Sequence, residues 1–154
     1  MDPRARSYLS ALEQAGKGPR PFDAALALAV EHFRTETGTI HVLRNGALEL
    51  VAHVAGLPPA VLEQIRVIPV GKGMAGLAVL RREPVTACNL QTDTSGDVRP
   101  GARATGMQGS IVVPLMRGES AVGALGVANQ SERVFDEAER ELLLATGRVV
   151  AGWV

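Results

Sequence analysis

Two pairs of short apolar runs, each closed by a two-residue turn, commit this chain to an antiparallel sheet. Residues 39–44 and 47–54 flank Asn45-Gly46, a dipeptide that tolerates positive φ and so favours the tight hairpin turn matching strand twist. Residues 110–117 and 121–129 flank Gly118-Glu119 in the same way. Strands joined this closely run antiparallel, because a parallel pair needs a crossover of a dozen or more residues. Val67, Ile68 and Val70 mark a third strand over 66–70, and 85–88 reads as a fourth.

Helical signals surround these strands. Asp2 can accept first-turn amides and Pro3 is tolerated at the first helical position, so a short helix carrying Tyr8, Leu9 and Leu12 begins there. Gly16, Gly18, Pro19 and Pro21 end it. A second helix is predicted from about Phe22 to Thr37, with Leu26, Val30 and Phe33 on one stripe. Its alanines, Ala24, Ala25, Ala27 and Ala29, let another backbone approach, either the sheet or a partner subunit. One or two helical turns are expected over 60–64, and a short helix over 74–80 lying on the sheet. Asp136 and Glu139 have capping-box spacing at the head of a last helix, which is apolar on more than one side through Leu142, Leu143, Val149 and Val150. The class is α+β.

At 154 residues and 46% hydrophobic content the chain suits one domain with one core. Sixteen basic against sixteen acidic residues argue against nucleic-acid or membrane-surface binding, which need excess positive charge. No run approaches the roughly 20 apolar residues of a membrane span, and Met1 to Arg6 lacks a signal peptide's apolar core. The expected location is cytoplasmic. Cys88 is the single cysteine, so the chain makes no internal disulfide and no thiolate cluster, and Cys88 reads as a small buried hydrophobe. His32, His41 and His53 lack metal-ligand spacing and read as satisfied or solvent-facing, so no metal is expected. The serines have no nucleophile-elbow setting.

Gly71-Lys72-Gly73-Met74-Ala75-Gly76 satisfies a dinucleotide-binding glycine pattern after a strand, with Asp93 near the distance of a ribose-binding acid. That fold requires a parallel start, whereas the strands here are joined by hairpins. The alternative is a sharp strand-to-helix turn at Gly71 and Gly73, with Gly76 permitting close approach to the sheet.

Taken in order, residues 22–146 resemble a GAF domain. The parts are a leading helix, a hairpin, the Gly71-to-Gly76 turn and helix, a strand after Glu83-Pro84, a polar loop, the Val112-Val113-Pro114-Leu115 strand, the Gly123-to-Asn129 strand and a Phe135-led helix. The resemblance implies a central antiparallel sheet of five or six strands, N- and C-terminal helices on one face, and loops covering a ligand pocket on the other. It divides the chain into an N-terminal helix and linker, 1–21, and the domain, 22–154.

Ligand classes known in that family can be held against this sequence. Cyclic-nucleotide-binding members are similar to one another in an Asn-Lys pair, a Phe and a following Asp-Glu pair. Here Asn129-Gln130, Phe135 and Glu139-Arg140 align, and without a lysine at Gln130 the buried ion bridge is expected to be broken. Bilin carriers use a cysteine commonly followed by His, whereas Asn89 follows Cys88. Free methionine sulfoxide reductases resemble the chain in size and in the Gly-rich turn, but their chemistry needs a nucleophilic and a resolving thiol. Ala75 stands at the turn and only Cys88 remains. The expectation is of a chain that is no enzyme and has no identifiable cofactor.

The loop from Asn89 to Gly109 holds few large apolar residues, and a loop of this length usually serves a site. Lys72, Arg99 and Arg103 would make an anion-friendly wall, Asn89 and Asp93 would add polar contacts, and Met74, Cys88 and Met107 the apolar side. A small polar or anionic metabolite is the expected ligand. Two readings stay open. One is a ligand-gated sensor signalling to a partner protein in trans. The other is a ligand-free adaptor, homodimeric through the apolar terminal helices and Trp153.

Overall fold

Local turn chemistry sets the sheet. Asn45 and Gly46 take φ of 53° and 81°, and the strands before and after them pair from Arg44↔Ala47 outward. The computed structural model describes residues 2–98, 100–103 and 105–154. In chain order they form α1 (Pro3–Ala15), α2 (Pro21–His32), β1 (Thr37–Arg44), β2 (Ala47–His53), α3 (Pro59–Ile65), β3 (Val67–Pro69), α4 (Gly73–Arg81), β4 (Val85–Ala87), α5 (Pro100–Arg103), β5 (Gly109–Arg117), β6 (Ser120–Asn129) and α6 (Glu137–Ala151). The strands make one six-stranded sheet, ordered β3-β2-β1-β6-β5-β4. Every neighbouring pair is antiparallel, so the α+β expectation describes the chain.

Strand alternation divides the sheet into two faces. Ile40, Val113, Leu115 and Leu125 meet Leu26 of α2 and Leu143 of α6 on one side. Leu48, Val85 and Val112 meet Met74, Ala78 and Val79 of α4 on the other. Two alanines of α2 serve this packing, Ala25 and Ala29, both fully buried, while Ala27 is exposed. This helix ends at His32, five residues before the expected Thr37. Arg34 turns left-handed at φ 54° and the Glu36 amide donates to the Ala128 carbonyl at 2.9 Å, so pairing with β6 takes over from helix propensity.

α1 is part of this core, although the sequence sets residues 1–21 apart as helix and linker. Tyr8 and Leu12 are buried, and Tyr8 Oη lies 2.8 Å from Thr146 Oγ1 of α6. Trp153 packs on Phe22, ring centroids 6.2 Å apart, and covers Gly16. Much of the apolar surface assigned to a partner copy is thus internal.

The glycine pattern is a turn. Gly71 and Gly73 have φ of 85° and 66°, the Gly71 amide donates to the Gly76 carbonyl at 2.9 Å, and a Cβ on Gly76 would stand 2.4 Å from the Pro69 carbonyl oxygen. β3, which leads into it, pairs antiparallel at the sheet edge. The start of α6 has the expected reciprocal cap, Glu139 amide to Asp136 at 2.7 Å and Asp136 amide to Glu139 at 3.0 Å. Among the described residues no helix is long and apolar enough to cross a membrane.

Candidate functional site

On the face away from α1, α2 and α6 a cavity of about 450 Å³ opens between the sheet and the α3, α4 and α5 region, a volume typical of small-molecule sites. β1 supplies the polar part of its floor. Thr37, Thr39 and His41 line the cavity, while Gly38 between them faces Leu26 and Val30 of α2. Ser110 of β5 and Gly126 and Ala128 of β6 complete the floor. Gly126 deepens it, because a Cβ there would point at Val112 and Thr39. Ile65 and Ile68, Leu90 and Met107 form apolar walls, and Gly73, Met74 and Ala75 bring the first turn of α4 to the rim.

Among the described residues His41 is the one titratable side chain in this lining. It is 2% exposed, and its Nε2 lies 2.7 Å from the carbonyl oxygen of Ile65 at the end of α3. Burial holds its pKa below the ordinary histidine value, outweighing the Ile65 bond, which acts to raise it. A carbonyl only accepts, so Nε2 carries the hydrogen and Nδ1 of the neutral ring is a bare acceptor. The sequence reading of a satisfied histidine therefore holds at one nitrogen.

Of the residues nominated from sequence, Met74 and Met107 line the cavity. Cys88 is exposed, whereas a buried position was expected. Asn89 donates to Glu132 at 2.9 Å and accepts the Gln91 amide at 2.9 Å. Asp93 accepts the Ser95 amide at 2.9 Å, and Arg103 donates to the Asp93 carbonyl oxygen at 2.7 Å. Lys72 is exposed and makes no side-chain cap on α4. Arg99 lies outside the described residues. Neither described member of the anion-friendly wall, Lys72 or Arg103, lines the cavity, and the polar groups of Asn89, Asp93 and Arg103 bond the loop's own backbone and neighbours. The loop is also less free of burial than its composition suggests, for Leu90 and Val98 are 3% and 8% exposed and pack with the α4 cluster.

Sequence reasoning missed Thr37, Thr39, Ser110 and Gly126, and missed that His41 faces a cavity. The available signal was polar residues at alternate positions of β1, between apolar ones. A second correction concerns the ion bridge expected to be lost with Gln130. Arg133 supplies the cation instead, its Nη2 2.5 Å from Glu139 Oε2, with Nη1 donating to Asn129 at 2.9 Å and to the Arg34 carbonyl at 3.2 Å. The guanidinium also covers the Phe135 ring at 4.4 Å. This network ties β6 to α6, and neither Arg133 nor Glu139 lines the cavity.

A family model, that of the GAF domain, matches residues 22–152. No curated protein matches. The chain is similar to the solved GAF domain from an Acinetobacter phosphoenolpyruvate-protein phosphotransferase, at TM-score 0.81 and 21% identity, covering 99% of this chain and 93% of that one. It is similar to free methionine-R-sulfoxide reductase from Neisseria meningitidis, solved with its substrate, at TM-score 0.78 and 19% identity over 99% and 90% of the two chains. The type II enzyme from Thermoplasma acidophilum gives 0.73 and 20% over 92% and 94%. At these identities the likeness shows the fold. The two enzymes overturn the expectation that the chain is no enzyme: the same architecture carries catalysis in them, so an activity is open to it, and site side chains rather than fold decide it.

Proposed function

This chain belongs to the GAF domain family, and from that premise we propose that it is a sensory and regulatory module that binds a small molecule in the cavity and signals to a partner protein in trans. The observation that carries this reading is the cavity itself, with a polar floor in a sheet whose other buried positions are apolar apart from Asn129. Such a floor costs stability unless something satisfies it, which is the usual mark of a binding surface.

The surroundings suit a switch. The roof is short elements and a loop held by exposed polar bonds, such as Gln91 Nε2 to the Arg103 and Met107 carbonyls at 3.0 and 2.8 Å. Between its buried anchors Leu90 and Val98 the stretch 91–97 has no buried residue, and stretches with little burial open at low free-energy cost, so a ligand that contacts it orders it. The floor strands β1, β5 and β6 carry α2 and α6 on their other side, within one sheet-packing distance of about 10 Å. Pressure on the floor thereby reaches the helices that a partner meets.

Native mass spectrometry of the freshly purified protein tests this reading. A bound small molecule is expected in the wild type and lost on Ala128→Leu, which fills the floor. A ligand-free wild type, with amide exchange over 89–98 unchanged by a metabolite extract, would sink it.

A further inference from the structure

The chemistry of the lining points to the kind of molecule the cavity takes, an inference that rests on the cavity being a ligand site. Among the described residues no lysine, arginine, aspartate or glutamate lines it. A charged ligand would leave water without meeting an opposite charge from these residues, which is costly at any depth.

Beside the Thr37 and Thr39 hydroxyls of the floor, two sets of polar groups bear on the ligand. On the floor, His41 is fixed by Ile65 through Nε2. Its Nδ1 makes no hydrogen bond among the described residues, yet it is not an orphaned, sealed-off atom, and the open space beside the ring is the cavity. At the rim, Gly73, Met74 and Ala75 begin α4, a nine-residue helix whose cap residue Lys72 provides no side-chain acceptor. The first amides of a helix have no acceptor within it, and among the described residues these three find none elsewhere. The cavity therefore presents a lone-pair acceptor on the floor beside the Thr37 and Thr39 hydroxyls, and N–H donors at the rim, between aliphatic and thioether walls.

We propose that the ligand is an uncharged molecule of amide chemistry, such as a carboxamide, lactam or ureide. Its N–H is received by His41 Nδ1 and its carbonyl oxygen by the amides that open α4. The helix start alone would also favour an anion. His41 argues for the neutral form, because its acceptor lone pair repels a carboxylate and welcomes an N–H.

Three probes of one size separate these cases: hexanamide, hexanoate and N,N-dimethylhexanamide, titrated into the full chain and followed by amide correlation spectra. Hexanamide is expected to shift the Met74 and Ala75 amides and to bind about tenfold more tightly than the other two, the worth of one net hydrogen bond. In His41→Leu the preference of hexanamide over its dimethyl analogue should vanish. If that variant fails to fold, the wild-type series still decides. Hexanoate binding as tightly as hexanamide or more tightly, or a dimethyl analogue equal to it, would overturn the amide assignment and leave the site reading standing. Shifts at the cavity amides from none of the three would count against the site itself.

Discussion

Tyr8 and Thr146, 138 positions apart, share a buried hydrogen bond of 2.8 Å that fastens α1 to α6. Thr146 Oγ1 also donates to the Leu142 carbonyl at 2.8 Å. The threonine hydrogen is thus spent within its own helix, and the tyrosine hydroxyl is the donor between the two. Burial raises the tyrosine pKa, the threonine bond opposing that rise only in part.

This asymmetry predicts unequal mutants. Tyr8→Phe should cost about 1 kcal/mol, the net value of one hydrogen bond. Thr146→Val strands a buried phenol and should cost about 2 kcal/mol, within the range for an unsatisfied buried group. Urea denaturation of the two variants measures the difference, and equal costs would show that the hydroxyl finds another acceptor.

Gly76→Ala should destabilise by about 2–3 kcal/mol, as overpacking does. The new Cβ would lie 2.4 Å from the Pro69 carbonyl oxygen and 3.0 Å from the Gly71 nitrogen, and both are backbone atoms of the turn that sets α4 on the sheet. Chemical denaturation reads the loss. A neutral substitution would mean that α4 can back away from β3.

The Arg133–Glu139 pair is partly buried, with side chains 20% and 25% exposed. Arg133→Gln should cost about 1–2 kcal/mol, since hydrogen bonds to charged groups are worth more than neutral ones. Arg133→Lys should recover little of this, because an ammonium cannot reproduce the fork that reaches Glu139, Asn129 and the Arg34 carbonyl. A double-mutant cycle with Glu139→Gln gives the coupling, and a value near zero would contradict this account.

Stability should fall on acidification through His41. Its pKa is lower in the folded chain than the ordinary 6.5, with burial as the main cause, so the unfolded chain binds more protons and stability rises with pH in that interval. The contribution is full above 6.5 and is lost as pH drops toward the folded value. No charged side chain enters the balance at His41, and its strand neighbours Leu50 and Ala124 are apolar. His32, lowered by burial and Arg4 against an opposing Asp2, adds in the same direction. Melting curves between neutral and mildly acid pH should be flatter in His41→Gln, and unchanged slopes would refute the assignment.

The fold was more legible than the site. Asn45-Gly46 and Gly118-Glu119 gave both hairpins, Asp136 and Glu139 gave the start of α6, and the order of parts gave the family. The hairpins and the cap rest on residues adjacent or three apart, where backbone chemistry acts locally. Most of the nominated site residues came from one loop, chosen for its polarity, yet Asn89, Asp93 and Arg103 bond that loop and its neighbours. The cavity floor instead draws Thr37, His41, Ser110 and Gly126 from three strands. Gln130 likewise drew attention to a missing cation that Arg133 supplies from three positions on.

The amino-acid order by itself determined the strands, their antiparallel pairing and the helix that follows the glycine turn, because φ preferences and apolar spacing act within a few residues. Only the tertiary structure decided which sheet face the helices cover, and with it that β1 turns Thr37, Thr39 and His41 into an open chamber. Every strand has two faces, and which one is buried depends on packing partners far away in the chain.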